Sequence, residues 1–541
     1  MASTTMDTGD ISHLRFYPRC GICADTILRH ERVIALFGNR DSTSYCGYTR
    51  PFPFPQSTLT ITTVAGRLAC RFPDCETCAA SPEFVQIHFD CFEIFKQRCS
   101  VSASDALSRL WILAAWRDPW RGSPPIHLSA PMDDIRFCGL PLLCTLPLEL
   151  LEMIRHYSRY SLLWRCIPVL QLAAYVSATD PEPLLTVPLR ELLFWERGGQ
   201  FERVTGSRSP LPTLRLTVDS AGISKVERLP GLPLYAGECS SRSAFILRDE
   251  ASISEVVAQL KDGRLRLDVP ARLGQLPIWN TPAPPSLTFC KVYPAERACQ
   301  AFYAVEMDEI KGITFFFSFD DLCGIHIHRS EESCAMDTFA RIFQQPFRRA
   351  VVWIYLPISK CDRVLVLGMR EAVQAPHNRS ILVRMERVGD IIIACRGDVK
   401  EVKDWLPPRR LPFAKPGPSP IEDHAYFSWA PLGGVASTLV FYDQRTGSCR
   451  GIVFHYQNGG SRAVGECRLH VDPAESVVRP ARLCFRADSC PSRYHSTRNR
   501  MIDMVQVKFE QGAAPTNDAE TDIDGWKSRP MKGLVKFWFY I

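Results

Sequence analysis

Two cysteine pairs with a two-residue spacer, Cys20-Gly21-Ile22-Cys23 and Cys75-x2-Cys78, share the first hundred residues with a third pair, His88-x2-Cys91. A two-residue spacer lets two thiolates face one ion at about 2.3 Å from each sulfur, so the chemistry suited to these residues is tetrahedral zinc coordination. Two assignments are open: a local site of Cys75, Cys78, His88 and Cys91, or a site in which Cys20 and Cys23 join His88 and Cys91. Cys46 and Cys70 would allow a second site. Four protein ligands leave no position for water or substrate, so the expected cofactor is a structural Zn2+ whose binding stabilises the fold. Of the 22 cysteines, eight lie between Cys20 and Cys99, and this clustering separates ligands from the small buried hydrophobes that cysteines otherwise are. Cys99 and His30 are read as bystanders.

The segment that must position these ligands, residues 13–104, is rich in turns and poor in aliphatic residues, with Pro51-Phe52-Pro53-Phe54-Pro55 at its centre and strand-like runs at 32–36 and 59–64. So small a loop-rich unit needs a staple, and a metal would be one. Residues 1–12 read as a disordered N-terminus, and 105–140 as a helix and a Pro-rich linker. A helical segment over 141–204 follows, with one helix opening at Leu146-Pro147, a second over 161–176 and a short third over 189–195. From 205 to 541 the period changes to two, as in Thr213-Leu214-Arg215-Leu216-Thr217-Val218, and β-rich runs recur at short spacing. The runs at 313–316 and 323–328 resemble those at 438–442 and 449–456, which predicts two similar hairpins. The expected fold class is α+β and multidomain: a small Cys/His-rich module, a short helical segment, then a large, mainly antiparallel β region built as a sandwich or prism, with a propeller as the alternative.

With 46% apolar residues the chain can bury a sizeable core. A formal charge of +6, from 64 Lys and Arg against 58 Asp and Glu, gives no argument for a nucleic-acid partner over so large a surface. No run reaches the roughly 18 apolar residues of a membrane span, and the N-terminus shows neither a secretory signal nor a presequence, so the expectation is an intracellular protein of cytoplasm or nucleus. No phosphate-cradling loop, dinucleotide fingerprint, nucleophile elbow or HExxH motif is present, and no catalytic residue is assigned. His326 and His328 share a strand face that could hold a metal, and are read rather as a solvated or hydrogen-bonded pair.

Four resemblances follow from these motifs. The pairing of Cys20 and Cys23 with His88 and Cys91 resembles treble-clef and LIM-like zinc ribbons. Leu146-Pro147-Leu148-Glu149-Leu150-Leu151-Glu152-Met153-Ile154, followed by Ser161-Leu162-Leu163-Trp164-Arg165, resembles the opening of an F-box. That resemblance implies docking on a Skp-type adaptor of a ubiquitin ligase through Leu148, Leu151, Ile154 and Trp164. Trp353-Ile354-Tyr355-Leu356-Pro357-Ile358 and Leu382-Val383-Arg384 with Gly389 and Asp390 look like jacalin-type lectin strands, which implies a carbohydrate ligand. Taken together, the Cys/His module, the Arg50-Pro51-Phe52-Pro53-Phe54-Pro55 phrase, the Leu-Pro-x-Glu segment and the β-rich tail are similar to uncharacterised proteins of filamentous fungi, some labelled F-box-like. The expected function is non-enzymatic: an interaction or adaptor protein with protein partners, a structural zinc module and a β-rich recognition region. The alternatives are an F-box-like substrate receptor and a lectin-like carbohydrate binder.

Overall fold

The computed structural model describes residues 13–539 other than 18, 29–30, 40, 55–61, 65–66, 71–76, 79–80, 124–125, 127, 129–138, 159–160, 205–210, 235–239, 241, 271–272, 274–275, 285–300, 303–309, 319–320, 331–332, 337, 340–350, 360–363, 373–374, 386–388, 395–425, 492–500 and 513–520. The architecture is α+β, with the Cys/His cluster and short helices followed by many antiparallel sheets. Two compact units divide the chain, Met1–Val305 and Glu306–Ile541. The β-rich stretch expected as one region from 205 to 541 is therefore shared between them.

In the N-terminal unit the organising strand is β2 (Arg32–Gly38), whose run Val33-Ile34-Ala35-Leu36 is buried on both faces. It pairs antiparallel with β7 (Phe84–His88) in a register that sets Val33 opposite His88 and Phe37 opposite Phe84. Along its other edge lie β3 (Tyr45–Tyr48) and β4 (Phe52–Pro53). Prolines are tolerated there because an edge strand needs fewer donors. The alternation Pro-Phe-Pro-Phe-Pro places Phe52 and Phe54 together, and both rings meet Phe16 edge-on with centroids 5.7 and 5.9 Å away. A separate three-stranded sheet joins β1 (His13–Arg15), β5 (Thr62–Val64) and β6 (Arg67–Cys70), with β1 parallel to β6.

Strand β7 runs straight into helix α1 (Phe89–Arg98), which buries Cys91, Phe92 and Phe95. Helix α2 (Ala103–Ala115) is capped by Ser102, whose hydroxyl accepts from the Asp105 N–H at 3.2 Å, and it buries a continuous face through Leu110, Trp111, Ile112 and Leu113. Expected at the head of a linker, this helix lies instead in the core of the module through its apolar face. The indoles of Trp111 and Trp116 both donate to the Ser42 carbonyl, at 3.2 and 3.1 Å. Helices α3 (Leu148–Tyr157) and α4 (Leu162–Ala178) occupy the two longer helical stretches expected from the sequence. Pro168 stands inside α4 without an N–H to donate, and the helix continues through it because Trp164, Ile167, Val169, Ala173 and Val176 are all buried. The last turn of α4 is held by Arg109, which donates to the carbonyls of Val176 and Thr179 at 2.7 and 2.6 Å.

The remaining expected helix, over 189–195, is instead one 3-10 turn, Leu189–Glu191, and a strand, Leu192–Glu196. Its apolar residues pair with the strand Gly222–Leu229, setting Trp195 opposite Val226, and this sheet contact outweighs a helical pattern only seven residues long. Strands Thr213–Asp219, Gly222–Leu229 and Ala244–Asp249 form the centre of that sheet, with Leu214, Leu216 and Val218 buried in alternation. The hairpin Val257–Lys261 with Arg264–Asp268 joins it to the Cys/His module, because Arg266 donates to both carboxylate oxygens of Glu83 at 2.7 Å.

In the C-terminal unit the described sheets are antiparallel. The two predicted hairpins are present, Gly312–Ser318 with Asp321–His328 and Val435–Tyr442 with Cys449–Tyr456. In each, the first strand takes a third antiparallel partner, Val351–Pro357 and Ala474–Val478. Among the described residues no helix is long and apolar enough to cross a membrane.

Asp118 follows α2 and lines a cavity shared with Arg19, Glu83 and Arg117. Burial and the Glu83 carboxylate push its carboxyl up to about 7, against the opposing charges of Arg266, Arg19 and Arg117. An acid raised in the folded state costs stability as pH rises from about 4, where the unfolded chain ionises, to about 7, where the folded one does. Asp118→Asn should therefore match wild type below pH 4 and exceed it in stability above pH 7. Urea melts of both proteins across that range check this; parallel curves would exclude it.

Candidate metal centre

The loop Cys20-Gly21-Ile22-Cys23 is a tight turn that docks on the edge of β7. Gly21 donates its N–H to the Gln86 carbonyl at 2.9 Å, and a Cβ on Gly21 would lie 2.3 Å from the Val85 side chain, so glycine is required for this approach. The loop closes through Ala24 N–H to the Cys20 carbonyl at 3.0 Å, with Ala24 in the left-handed region at φ 62°. Arg19 and Arg117 hold its carbonyls, donating to Ala24 at 2.8 Å and to Ile22 at 2.6 Å.

Across from this loop, the junction of β7 and α1 supplies His88 as the last strand residue and Cys91 in the first helical turn. The four ligand atoms of Cys20, Cys23, His88 and Cys91 all lie within 4.8 Å of one another, and all four residues are buried. His88 Nδ1 is 3.4 Å from the Cys23 sulfur and 3.8 Å from that of Cys91, while the His88 backbone N–H donates to the Cys20 sulfur at 3.4 Å. This group could hold a metal ion such as zinc.

The outer nitrogen of His88 faces Glu31 at 3.3 Å, a charge contact outside hydrogen-bond geometry. Glu31 is fixed in turn by the Leu28 N–H at 2.6 Å and by Arg165 of α4 at 2.7 Å. Burial would raise the Glu31 carboxyl, but these partners hold it below its ordinary value. A carboxylate behind the imidazole selects the tautomer with the proton on Nε2 and leaves Nδ1 for the thiols, which is the arrangement of a metal-ligating histidine. The sulfurs are electrostatically divided. Burial opposes ionisation of Cys20, yet hydrogen bonds from Cys23, Cys91 and His88 hold its thiol well below the ordinary value. The Cys91 thiol is driven up by its bonds to Cys20 and Cys23, and that of Cys23 by burial and by Cys20. The three sulfurs thus compete for protons that a divalent cation, if bound, would displace.

Of the two assignments open in the sequence, the structure brings together Cys20 and Cys23 with His88 and Cys91. Cys78 is not in that group: it lies with His13 and Cys70. The local site of Cys75, Cys78, His88 and Cys91 is therefore not formed, because β7 carries His88 toward the Cys20 loop. Cys75 lies outside the described residues. Of the two cysteines that would allow a second site, Cys46 is exposed on β3, whereas Cys70 lies with His13 and Cys78. His13 was missed in the sequence, where it is 57 residues from Cys70 with no spacing signal.

The helical segment presents a face that matches its motif only in part. Leu151 and Trp164 are buried, with the Trp164 indole donating to the Ser158 hydroxyl at 2.9 Å, whereas Ile154 is exposed. The side chain of Leu148 lies outside the described set. Exposed with Ile154 are Leu142, Leu150, Met153, Tyr157 and Leu162. In the C-terminal unit His326 and His328 form a T-shaped pair, saturated by Thr338, Ser333 and Thr314 hydroxyls and the Ser333 carbonyl at 2.8–3.1 Å.

No protein-family model matches the chain, and no curated protein or solved structure is similar to it at a significant level. Its organisation rests on the Cys/His cluster and the antiparallel β sheets themselves.

Glu31→Gln keeps the shape of the contact and removes the charge behind His88. Competition with a chromophoric chelator should show zinc affinity at this site reduced by about 10–100-fold, the usual effect of losing such an outer partner; unchanged affinity would mean that Glu31 does not orient the ligand.

Proposed function

We propose that this chain is a non-enzymatic interaction protein in which a structural Zn2+, held by Cys20, Cys23, His88 and Cys91, fixes the N-terminal unit and the β-rich regions serve recognition of a protein partner. The observation that carries the reading is the closed, buried set of one histidine and three cysteines. Four such protein ligands fill a tetrahedral shell, whereas a catalytic zinc keeps a position for water or substrate. The ion's role on this reading is to fasten the loop before β2 to the start of α1, and its binding free energy is folding free energy. Cys20→Ser combined with Cys91→Ser should remove one equivalent of zinc and lower the melting temperature of the N-terminal unit, and a chelator should do the same to wild type. Elemental analysis beside thermal melts tests it; retention of all zinc by the double variant would refute the assignment.

A second reading, an F-box-like receptor on a Skp-type adaptor, is favoured by one observation: α3 leaves Leu150, Met153 and Tyr157 exposed, with Leu142 and Leu162 flanking them. Apolar side chains gathered on one surface segment suit a partner more than water. Met153→Glu with Tyr157→Glu should abolish binding to a purified Skp-type adaptor without changing zinc content. Absence of binding by wild type in a direct titration would remove this reading and leave the first intact.

For the lectin reading the candidate acceptors of sugar hydroxyls are Asp320, Asp321 and Asp443. The Asp443 carboxylate is occupied by the N–H groups of Arg445 and Thr446 and by Arg450, which together build the turn, while Asp320 and the Asp321 side chain lie outside the described residues.

A further inference from the structure

The group His13, Cys70 and Cys78 belongs to no function assigned above. Its three residues come from three separate segments: the first strand β1, the end of β6, and the helical turn at 77–78. Their ligand atoms lie within 4.8 Å of one another, with both cysteines buried and His13 half-buried. Tetrahedral ligands at about 2.3 Å from zinc lie about 3.8 Å apart, so only a small contraction separates this group from three corners of a coordination shell whose fourth corner would be left to water.

The surroundings favour the same use. The turn carrying Cys78 is clamped to His13 by Ser81, whose hydroxyl accepts from the His13 N–H at 3.0 Å and donates to the Thr77 carbonyl at 2.7 Å. Cys70 is fixed from the other side, its carbonyl accepting from the Phe16 N–H at 2.7 Å. The Arg15 guanidinium interacts with the Cys78 sulfur. Cys78 also lines the cavity bounded by Arg15, Ser81 and Glu83, which offers an entry path. Both cysteines are buried yet lie outside the main apolar cluster of the unit, so packing alone does not account for their convergence with a histidine.

We infer that His13, Cys70 and Cys78 bind a second Zn2+, which ties the β1–β6 sheet to the turn that follows it. The inference is independent of the first site and does not draw on Cys75. Full-length protein purified without chelator should contain two equivalents of zinc by elemental analysis. Cys70→Ser with Cys78→Ser should lower this to one, while Cys20→Ser with Cys91→Ser should remove the other. Replacing zinc by cobalt gives a second readout, since thiolate-to-cobalt charge-transfer absorption should fall in each variant. Should the double variant not fold, His13→Asn, at a half-buried position, should weaken one of the two equivalents by at least tenfold in chelator competition and leave the other unchanged. One equivalent in wild type, lost with Cys20 and Cys91 but kept in the Cys70 and Cys78 variant, would overturn this site alone. One equivalent with the opposite dependence would overturn the first site and keep this one. Zinc-free wild type would overturn both.

Discussion

Three buried thiols and an imidazole in mutual contact are the constraint on which the N-terminal unit depends. Burial opposes charge on each of these groups, and their sulfurs compete for protons. A divalent cation such as zinc, which this group could hold, would displace those protons and bind all four at once. The rest of the unit is fitted to that point. The β2–β7 register fixes where His88 falls, the β7–α1 junction places Cys91 one turn further on, and Gly21 allows the Cys20 loop to lie against β7. Through Glu31 and Arg165 the same point also reaches α4.

Arginine is the second connecting device. Arg109 holds the end of α4, Arg228 donates to the carbonyls of Leu192 and Leu211, Arg19 reaches those of Ala24, Ile126 and Leu128, and Arg266 grips Glu83. A guanidinium offers five donors in a rigid fork and so satisfies several irregular backbone carbonyls at once, which suits a unit made largely of loops. Several of the cations behind the formal charge of +6 are thus internal, and the net charge says correspondingly little about the outer surface.

The C-terminal unit is built on a different principle. Its hairpins are held by apolar side chains on both faces, as in Phe315, Phe316 and Phe317, three successive residues that are all fully buried. Its polar residues mostly serve each other: Arg450 joins Asp443, Glu466 and Asp472, and the two histidines of the Asp321–His328 strand are saturated locally.

What the sequence determined by itself were features carried by local period and spacing. The alternation at Thr213–Asp219, the two similar hairpins, the helices at α3 and α4, and the candidacy of the Cys20/Cys23 and His88/Cys91 pairs as ligands could all be read there, because each depends on residues a few positions apart. What only the tertiary structure decided were the choices between equivalent local signals. Two CxxC pairs compete for one His-x2-Cys, and nothing near any of them says which wins; the β2–β7 pairing and the docking of Gly21 on Gln86 decide for Cys20 and Cys23. The same holds for His13, brought to Cys70 by a parallel β1–β6 pairing across more than fifty residues, and for the strand at Leu192–Glu196, whose apolar run fits helix or sheet until Gly222–Leu229 pairs with it. It holds for α3 as well, where spacing marks an apolar stripe but the fold decides that Leu151 is covered while Leu150, Met153, Ile154 and Tyr157 stay exposed. Long-range pairing is fixed by the free energy of the whole assembled core, and that quantity is not written in any one segment.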